Sequence, residues 1–282
     1  MTLVEHLYEL RSRLFKASLG ILVGMVVGVY FSEQILEFLI RPYSQALHAI
    51  GLQPKKPIQL GPVDYLILEL KVGLYTGLIL ASPVWLYQLW AFITPGLHKH
   101  ERRWAYGFVA VAAPLFTAGA GLAYFVVATG LEFLLAGSGA AAETTLELTR
   151  YIDFVTGMML LFGIGLEFPL VVMMLNLVGL VSAQRLLSWW RVAVFLTFVF
   201  AAVVTPTPDP FGMIALALPM CLLYFAAVGV AFLNDRRKAR SSAYAGLGDD
   251  ETSPLDDRLE PVEPAEPVEG PRRRAYDTDD LQ

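Results

Sequence analysis

Long apolar runs, separated by short loops that hold most of the charge, set the strongest limit on how this chain can fold. A helix needs about 20 apolar residues to cross hydrocarbon, and a soluble core has no use for several such runs in series. The runs cover about 14–31, 64–92, 104–135, 153–181, 192–204 and 211–233, which predicts six transmembrane helices. The third has no charged residue from 105 to 131 and carries Pro114, a natural bend. The second starts at Asp64, read as its N-cap, and continues through Pro83. The fifth has only thirteen residues, roughly 20 Å of helix, short for an ordinary bilayer. Between the first two runs, Arg41-Pro42-Tyr43, Pro54-Lys55-Lys56-Pro57 and Gly61-Pro62 read as a loop of about thirty residues.

Hydrophobic residues make up 56% of the 282 and charged residues 17%, which excludes an ordinary soluble domain. The formal charge of −5 says little about partners, because residues 249–282 hold 12 acidic and 4 basic side chains and leave the rest at +3. That tail, with its repeated Glu-Pro pattern, cannot bury a core. The chain therefore divides into a membrane core, 1–234, and a disordered acidic, Pro-rich cytoplasmic tail, 235–282. The first run follows Glu5 and Glu9, with no small-residue cleavage site after it, and reads as a retained helix. One cysteine, Cys221, permits no disulfide within the chain.

Lys and Arg counts orient the helices. Arg11, Arg13, Lys16, Lys99, Arg102, Arg103, Arg185, Arg191, Arg236, Arg237, Lys238 and Arg240 fall on the side of both termini, against Arg41, Lys55, Lys56 and Arg150 opposite. Twelve against four places both termini in the cytoplasm.

Nucleophile–base pairs, phosphate loops, metal-ligand spacings and nucleic-acid signatures are lacking; His98 and His100 have no nearby partner of a ligand pattern. No enzyme, cofactor or metal is expected. The informative polar residues are acids at a water–lipid boundary. Glu9, in His6-Leu-Tyr-Glu-Leu-Arg-Ser-Arg13, and Glu101, in Lys99-His-Glu-Arg-Arg103, fall on the same face of the membrane. They are either local salt-bridge partners of the neighbouring arginines or receptors for a cationic peptide, since guanidinium and carboxylate match as forks. Their cytoplasmic placement, where acids do not help topology, and their apolar neighbours favour the receptor.

Glu167 lies near mid-membrane, where an acid costs about 2.5–3.5 kcal/mol and must face protein or water. Pro169 adds polarity at that level by freeing a carbonyl. Glu167 is either a protonated group satisfied by that carbonyl or a hydroxyl, or a polar docking point. Glu69 and Lys71 are two positions apart, do not face each other, and are expected to snorkel outward. Trp85, Tyr87, Trp90 and Phe92 read as an interfacial belt, with Phe92 also able to stack on a peptide. Gly119-Ala-Gly121 and Gly163-Ile-Gly165 are expected to let helices approach closely.

Over residues 3–233 the chain resembles the TatC family, the large subunit of the twin-arginine protein translocase. The resemblance rests on His-Leu-x-Glu-Leu-Arg-x-Arg-Leu at 6–14, Ser-Pro-x-x-x-Tyr-Gln-x-Trp-Ala-Phe-Ile-x-Pro at 82–95 and Lys-His-Glu-Arg-Arg at 99–103. It continues through Ala-Tyr-Phe-Val-Val at 123–127, Phe-Gly-x-x-x-Glu-x-Pro at 162–169, Thr-Pro-x-x-Asp at 205–209 and Leu218-Pro-Met220. The long acidic tail departs from the family's compact core. The resemblance implies an all-α integral membrane protein, six transmembrane helices in a concave, glove-like bundle with both termini cytoplasmic, in a bacterial inner membrane. It implies that Glu9 and Glu101, with Arg13, Phe92 and Lys99, bind the paired arginines of a signal peptide on folded cargo. It implies that Glu167 and Pro169 contact the small single-span subunits TatA and TatB in a multi-copy complex driven by the proton-motive force. The competing class is a proton-coupled secondary transporter relaying through Glu167, Asp153 and Glu69; the lack of an internal repeat and of a second broken helix speaks against it.

Overall fold

A computed structural model describes residues 3–53, 57–59, 61–93, 102–137, 146–205 and 210–241. Among the described residues the chain is helical apart from short connections and one isolated bridge. The helices are α1 (Leu3–Tyr30), α2 (Ser32–Ala49), α3 (Pro62–Leu80), α4 (Ser82–Ile93), α5 (Arg102–Gly137), α6 (Leu148–Leu177), α7 (Ala183–Ser188), α8 (Trp190–Val204) and α9 (Pro210–Ser241). Met1–Arg236 form one compact unit. Of the second, Arg237–Gln282, only residues 237–241, the end of α9, are described. The expected tail therefore lies almost wholly outside the described residues.

α1, α5, α6 and α9 are each long and apolar enough to cross a membrane. α3 and α4 reach that standard together, bent by 60° at their junction. α8 is apolar but has only 15 residues, about 22 Å. Large apolar side chains point outward all round, Val26 at 70% exposure, Phe125 at 74% and Val203 at 78%. Such a surface is stable against lipid and costly in water.

The interior is organised around α6. One apolar cluster joins its Tyr151, Ile152 and Phe162 to α2, α3, α5 and α9 through residues such as Tyr43, Leu68, Val127 and Met220. A second joins Leu170 and Met174 to Trp90 of α4 and Phe108 of α5, and a third joins Val172 to α7 and α9. Close approach makes two of these helix contacts possible. α1 and α3 cross at Gly24 and Gly77, where a β-carbon on Gly77 would lie 2.6 Å from Met25 N and 2.7 Å from Ile21 O. α5 and α6 cross at Gly119 and Gly163, two of the glycines expected to allow close approach; a β-carbon on Gly119 would lie 2.6 Å from Phe162 O. Gly121 faces open space and takes no part in a close contact.

Three expectations are corrected. Residues 32–49 form a helix, not a loop, with Leu36, Leu39, Tyr43, Ala46 and Leu47 buried along one face. Pro42 is tolerated inside it because the carbonyl it deprives of a donor, Phe38 O, accepts the Tyr124 hydroxyl at 3.0 Å. The next carbonyl, Leu39 O, accepts from the Tyr151 hydroxyl at 2.7 Å. α2 is thereby held to α5 and α6. The following connection is pinned as well: Ile58 N–H donates to Leu146 O and Leu148 N–H to Ile58 O, at 3.0 and 2.8 Å.

The second correction is the break at Ala81, where a single helix through Pro83 was expected. Pro83 has no N–H to offer Ile79 O, so the helical ladder is interrupted there and the chain turns. The Trp85 indole N–H donates to Leu78 O at 2.8 Å, capping a carbonyl at the turn. Asp64 is likewise not the N-cap of α3: Gly61 holds that position, with Pro62 opening the helix and Asp64 in the first turn.

A polar knot ties the α6–α7 connection to α9. The Asn176 amide donates to Val181 O and Asp235 Oδ1, both at 3.0 Å; Asp235 Oδ2 accepts from Ala183 N–H at 2.8 Å. Asn234 donates to Asn176 Oδ1 at 3.0 Å. Asp235→Ala strands both donors and is expected to cost about 1–3 kcal/mol, read as a lower thermal midpoint in detergent. Asn234→Ala leaves only one acceptor short and should cost less; equal, negligible shifts for both would show the knot to be solvated.

Candidate functional site

The start of α1 and the end of α4 meet, and their meeting builds the first half of the site. The His6 ring stacks on Phe92, centroids 4.5 Å apart and planes at 17°. One turn on, Glu9 and Arg13 sit four residues apart, the spacing that puts two side chains on one helix face. Arg13 donates from Nε and Nη2 to the same oxygen, Glu9 Oε1, at 3.0 and 2.6 Å. Glu9 Oε2 is buried and has no partner among the described residues. Each side chain is about a quarter exposed, so the pair is partly withdrawn from solvent. Arg13 and Phe92, with Leu10, Leu14 and Trp85, line an apolar cavity of ≈ 340 Å³. The pair can thus offer one unused carboxylate oxygen to an incoming donor while Arg13 holds the other. Lys99 and Glu101 lie outside the described residues.

The second half is inside the bundle. α6 takes part in all three apolar clusters, so a polar residue on its inner face is buried whatever it is. Glu167 is such a residue, at 8% exposure, ten positions before the end of α6 and so about 15 Å along the axis from it. Both its carboxyl oxygens are buried and unpartnered among the described residues. The expectation that a carbonyl or hydroxyl satisfies them is not met; the nearby Thr197 hydroxyl donates to Ala193 O instead, at 2.8 Å. Pro169 is buried two residues further on. Glu167 opens on a cavity of ≈ 780 Å³ walled by Trp85, Trp90, Phe168, Phe200 and Met220. Trp85, Leu89 and Ile164 line both cavities, so one apolar wall runs from Arg13 and Phe92 to Glu167.

Trp90 is 2% exposed and packs on Phe108. It is a wall of the concavity rather than a belt residue, and Trp85, half-buried with its ring edge-on to Phe116, is the same. Glu69 and Lys71 do not snorkel apart. Lys71 Nζ donates to both oxygens of Asp153, at 2.9 and 2.7 Å, and Ser32 donates to Glu69 at 3.3 Å. Sequence reasoning missed the Lys71–Asp153 pair. The signal was only partial: Lys71 is the one cation of α3 and needs an acid, but Glu69, Asp153 and Glu167 all offered one, and helix approach made the choice. Among the described residues no three His, Cys, Asp or Glu side chains are grouped to hold a metal ion.

These features define a multi-pass helical membrane protein with an apolar concavity, a partly buried ion pair at one end and an unsatisfied carboxyl in its depth. Residues 5–219 match the family described as Sec-independent protein translocase protein (TatC). The chain is 48% identical to the Sec-independent protein translocase protein TatC of Frankia casuarinae, over 94% of this chain and 76% of the relative. It is 41% identical to that of Xylanimonas cellulosilytica, over 87% and 88% of the two chains. The chloroplastic TATC of Pisum sativum is 35% identical, over 84% and 65%. A crystal structure of the twin-arginine translocase receptor TatC superposes with a TM-score of 0.65 at 33% identity, covering 82% of this chain and all of the other. The chain belongs to the TatC family of Sec-independent protein translocase proteins.

Proposed function

We infer that this chain is the signal-peptide receptor and core subunit of a twin-arginine translocase, moving folded proteins across the bacterial cytoplasmic membrane on the proton-motive force. The observation that carries the reading is the Glu9–Arg13–Phe92 cluster, with its unused buried oxygen, at the mouth of an apolar wall that leads inward to Glu167. A signal peptide has complementary parts: a pair of guanidinium groups, then an apolar stretch. Glu9 Oε2 accepts from one guanidinium, and Glu101, two residues after Lys99, accepts from the other. Phe92 offers an apolar ring beside them. Arg13 cannot itself bind a cation; it orients Glu9.

Six spans fit this reading: α1, the bent α3–α4 pair as one, α5, α6, α8 and α9. The distribution of Lys and Arg then puts both termini in the cytoplasm. The working core, read from sequence as 1–234, takes in Asp235 as well, and the acidic, Pro-rich tail beyond α9 serves no chemistry. Glu167 and Pro169 are the intramembrane contact for the small subunits TatA and TatB. The protein works by binding and assembly, not by covalent catalysis. The proton-relay reading is weaker, because both Asp153 oxygens are occupied by Lys71 and Asp153 is fourteen residues, about 21 Å, from Glu167 along α6.

The reading is tested by titrating purified protein with a peptide carrying paired arginines and with its paired-lysine twin. The arginine peptide binds more tightly, because an ammonium cannot form the two-pronged contact. Equal affinities for both would refute carboxylate recognition. Glu167→Gln keeps the shape and removes the ionisable oxygen. It is expected to leave peptide affinity unchanged and to reduce export and recovery of the assembled complex. Lost peptide affinity in folded protein would merge two sites held here to be separate.

A further inference from the structure

The α7–α8 corner holds none of the residues assigned above to peptide recognition, yet it has the form of a site. Ser182 caps α7, accepting from Arg185 N–H at 3.4 Å, and Asp235 holds Ala183 N–H, so the corner is fastened at its start. Trp189 and Trp190 follow at 55% and 42% exposure. The Arg191 guanidinium lies over the Trp190 ring, 5.4 Å from its centroid, and has no carboxylate partner among the described residues. Gln184, Leu187, Ser188, Trp190 and Arg191 line an open dish of ≈ 560 Å³. The Ser188 hydroxyl already donates to Arg185 O at 2.8 Å, which leaves the Gln184 amide, the Trp190 indole and the Arg191 guanidinium as the dish's side-chain donors.

Helix length adds a second, independent observation. α8 spans about 22 Å, against about 30 Å of hydrocarbon, and begins at this corner. A bilayer meeting so short a span thins, which brings headgroups down onto the helix end. Tryptophan is at home at that level. Below the dish, Val192 and Phe195 of α8 are exposed and apolar, a surface suited to acyl chains.

We propose that the α7–α8 corner binds the phosphate of an anionic phospholipid, with Arg191 and Gln184 donating to its oxygens and its tails lying on α8. The ring beneath Arg191 holds the guanidinium in place without neutralising it. The exposed indoles and α8's apolar face select a lipid over a soluble phosphate, which would meet one cation and no tail surface. The proposal rests on α8 being a span, as read above, and not on peptide recognition.

The test uses the full chain in nanodiscs of phosphatidylcholine with a minor share of phosphatidylglycerol, followed by mild extraction and quantification of retained lipid. Wild type is expected to enrich phosphatidylglycerol about fivefold more than Arg191→Gln, the equivalent of about 1 kcal/mol for one cation at an anionic surface. Gln184→Leu, at an exposed position, is expected to give a smaller loss. Arg191→Lys keeps the charge and retains part of the enrichment. Equal enrichment in wild type, Arg191→Gln and Gln184→Leu overturns the proposal. So does displacement of the lipid by millimolar inorganic phosphate, which would mark a free-anion site. Titrating each variant with the twin-arginine peptide separates the two readings: lost lipid with intact peptide affinity supports this site alone, and lost peptide affinity in wild type would sink the receptor reading without touching this one.

Discussion

Gly77→Leu is expected to pull α1 away from α3 and leave little assembled protein in the membrane. The β-carbon alone would meet Met25 N at 2.6 Å and Ile21 O at 2.7 Å, and both are backbone atoms that cannot swing aside. Even alanine overpacks the crossing, at a cost of about 1–3 kcal/mol, and leucine adds three more carbons to the same gap. The damage reaches the site, because α1 carries Glu9 and Arg13 while the chain leaving α3 turns into α4 and Phe92. Thermal midpoints in detergent and peptide titration measure the two consequences. Gly121→Leu is the control: nothing lies within 4 Å of a β-carbon there, so its change should stay within about 0.5 kcal/mol. Equal midpoints for the two variants would mean that α1 and α3 do not touch at Gly77.

Glu101→Ala has the second large effect, on binding rather than folding. On the proposed reading it removes an acceptor for one peptide guanidinium and leaves that cation in a stretch whose remaining charges, Lys99, Arg102 and Arg103, are all positive. Lost charge-assisted hydrogen bonds and new repulsion act in the same direction, and a loss of about 2–4 kcal/mol, roughly 30- to 1000-fold in affinity, is expected. Glu9→Ala should cost less, because Arg13 already holds one of the two Glu9 oxygens and only the other is open to the peptide. A double-mutant cycle between Glu101 and each peptide arginine, at two salt concentrations, isolates the contact. Coupling near zero for both arginines would return Glu101 to the role of a surface salt-bridge partner.

The spans were legible because hydropathy is a local property: a run of apolar residues announces itself whatever it packs against. The short apolar helix α8 was readable for the same reason, and the cost of an acid in such a run already turned Glu167 inward. α2 was not, since Pro42 and the charges at Glu33, Glu37 and Arg41 resemble loop punctuation. Its helix survives because hydroxyls of Tyr124 and Tyr151, far away in sequence, meet the carbonyls at Phe38 and Leu39. The sharp turn at Ala81 was half legible, with Pro83 in plain view but its outcome set by Trp85 reaching back to Leu78 O.

Left to itself, then, the sequence determined which segments are apolar enough for the membrane, which residues there are charged, and which family the motifs resemble. Only the tertiary structure decided who meets whom. It paired Lys71 with Asp153, stacked His6 on Phe92, buried Trp90 as a wall, and left Glu167 facing a cavity. Those outcomes turn on approach between helices distant in the chain, set at Gly24 against Gly77 and Gly119 against Gly163, where the contact distance depends on two surfaces at once and no single segment encodes it.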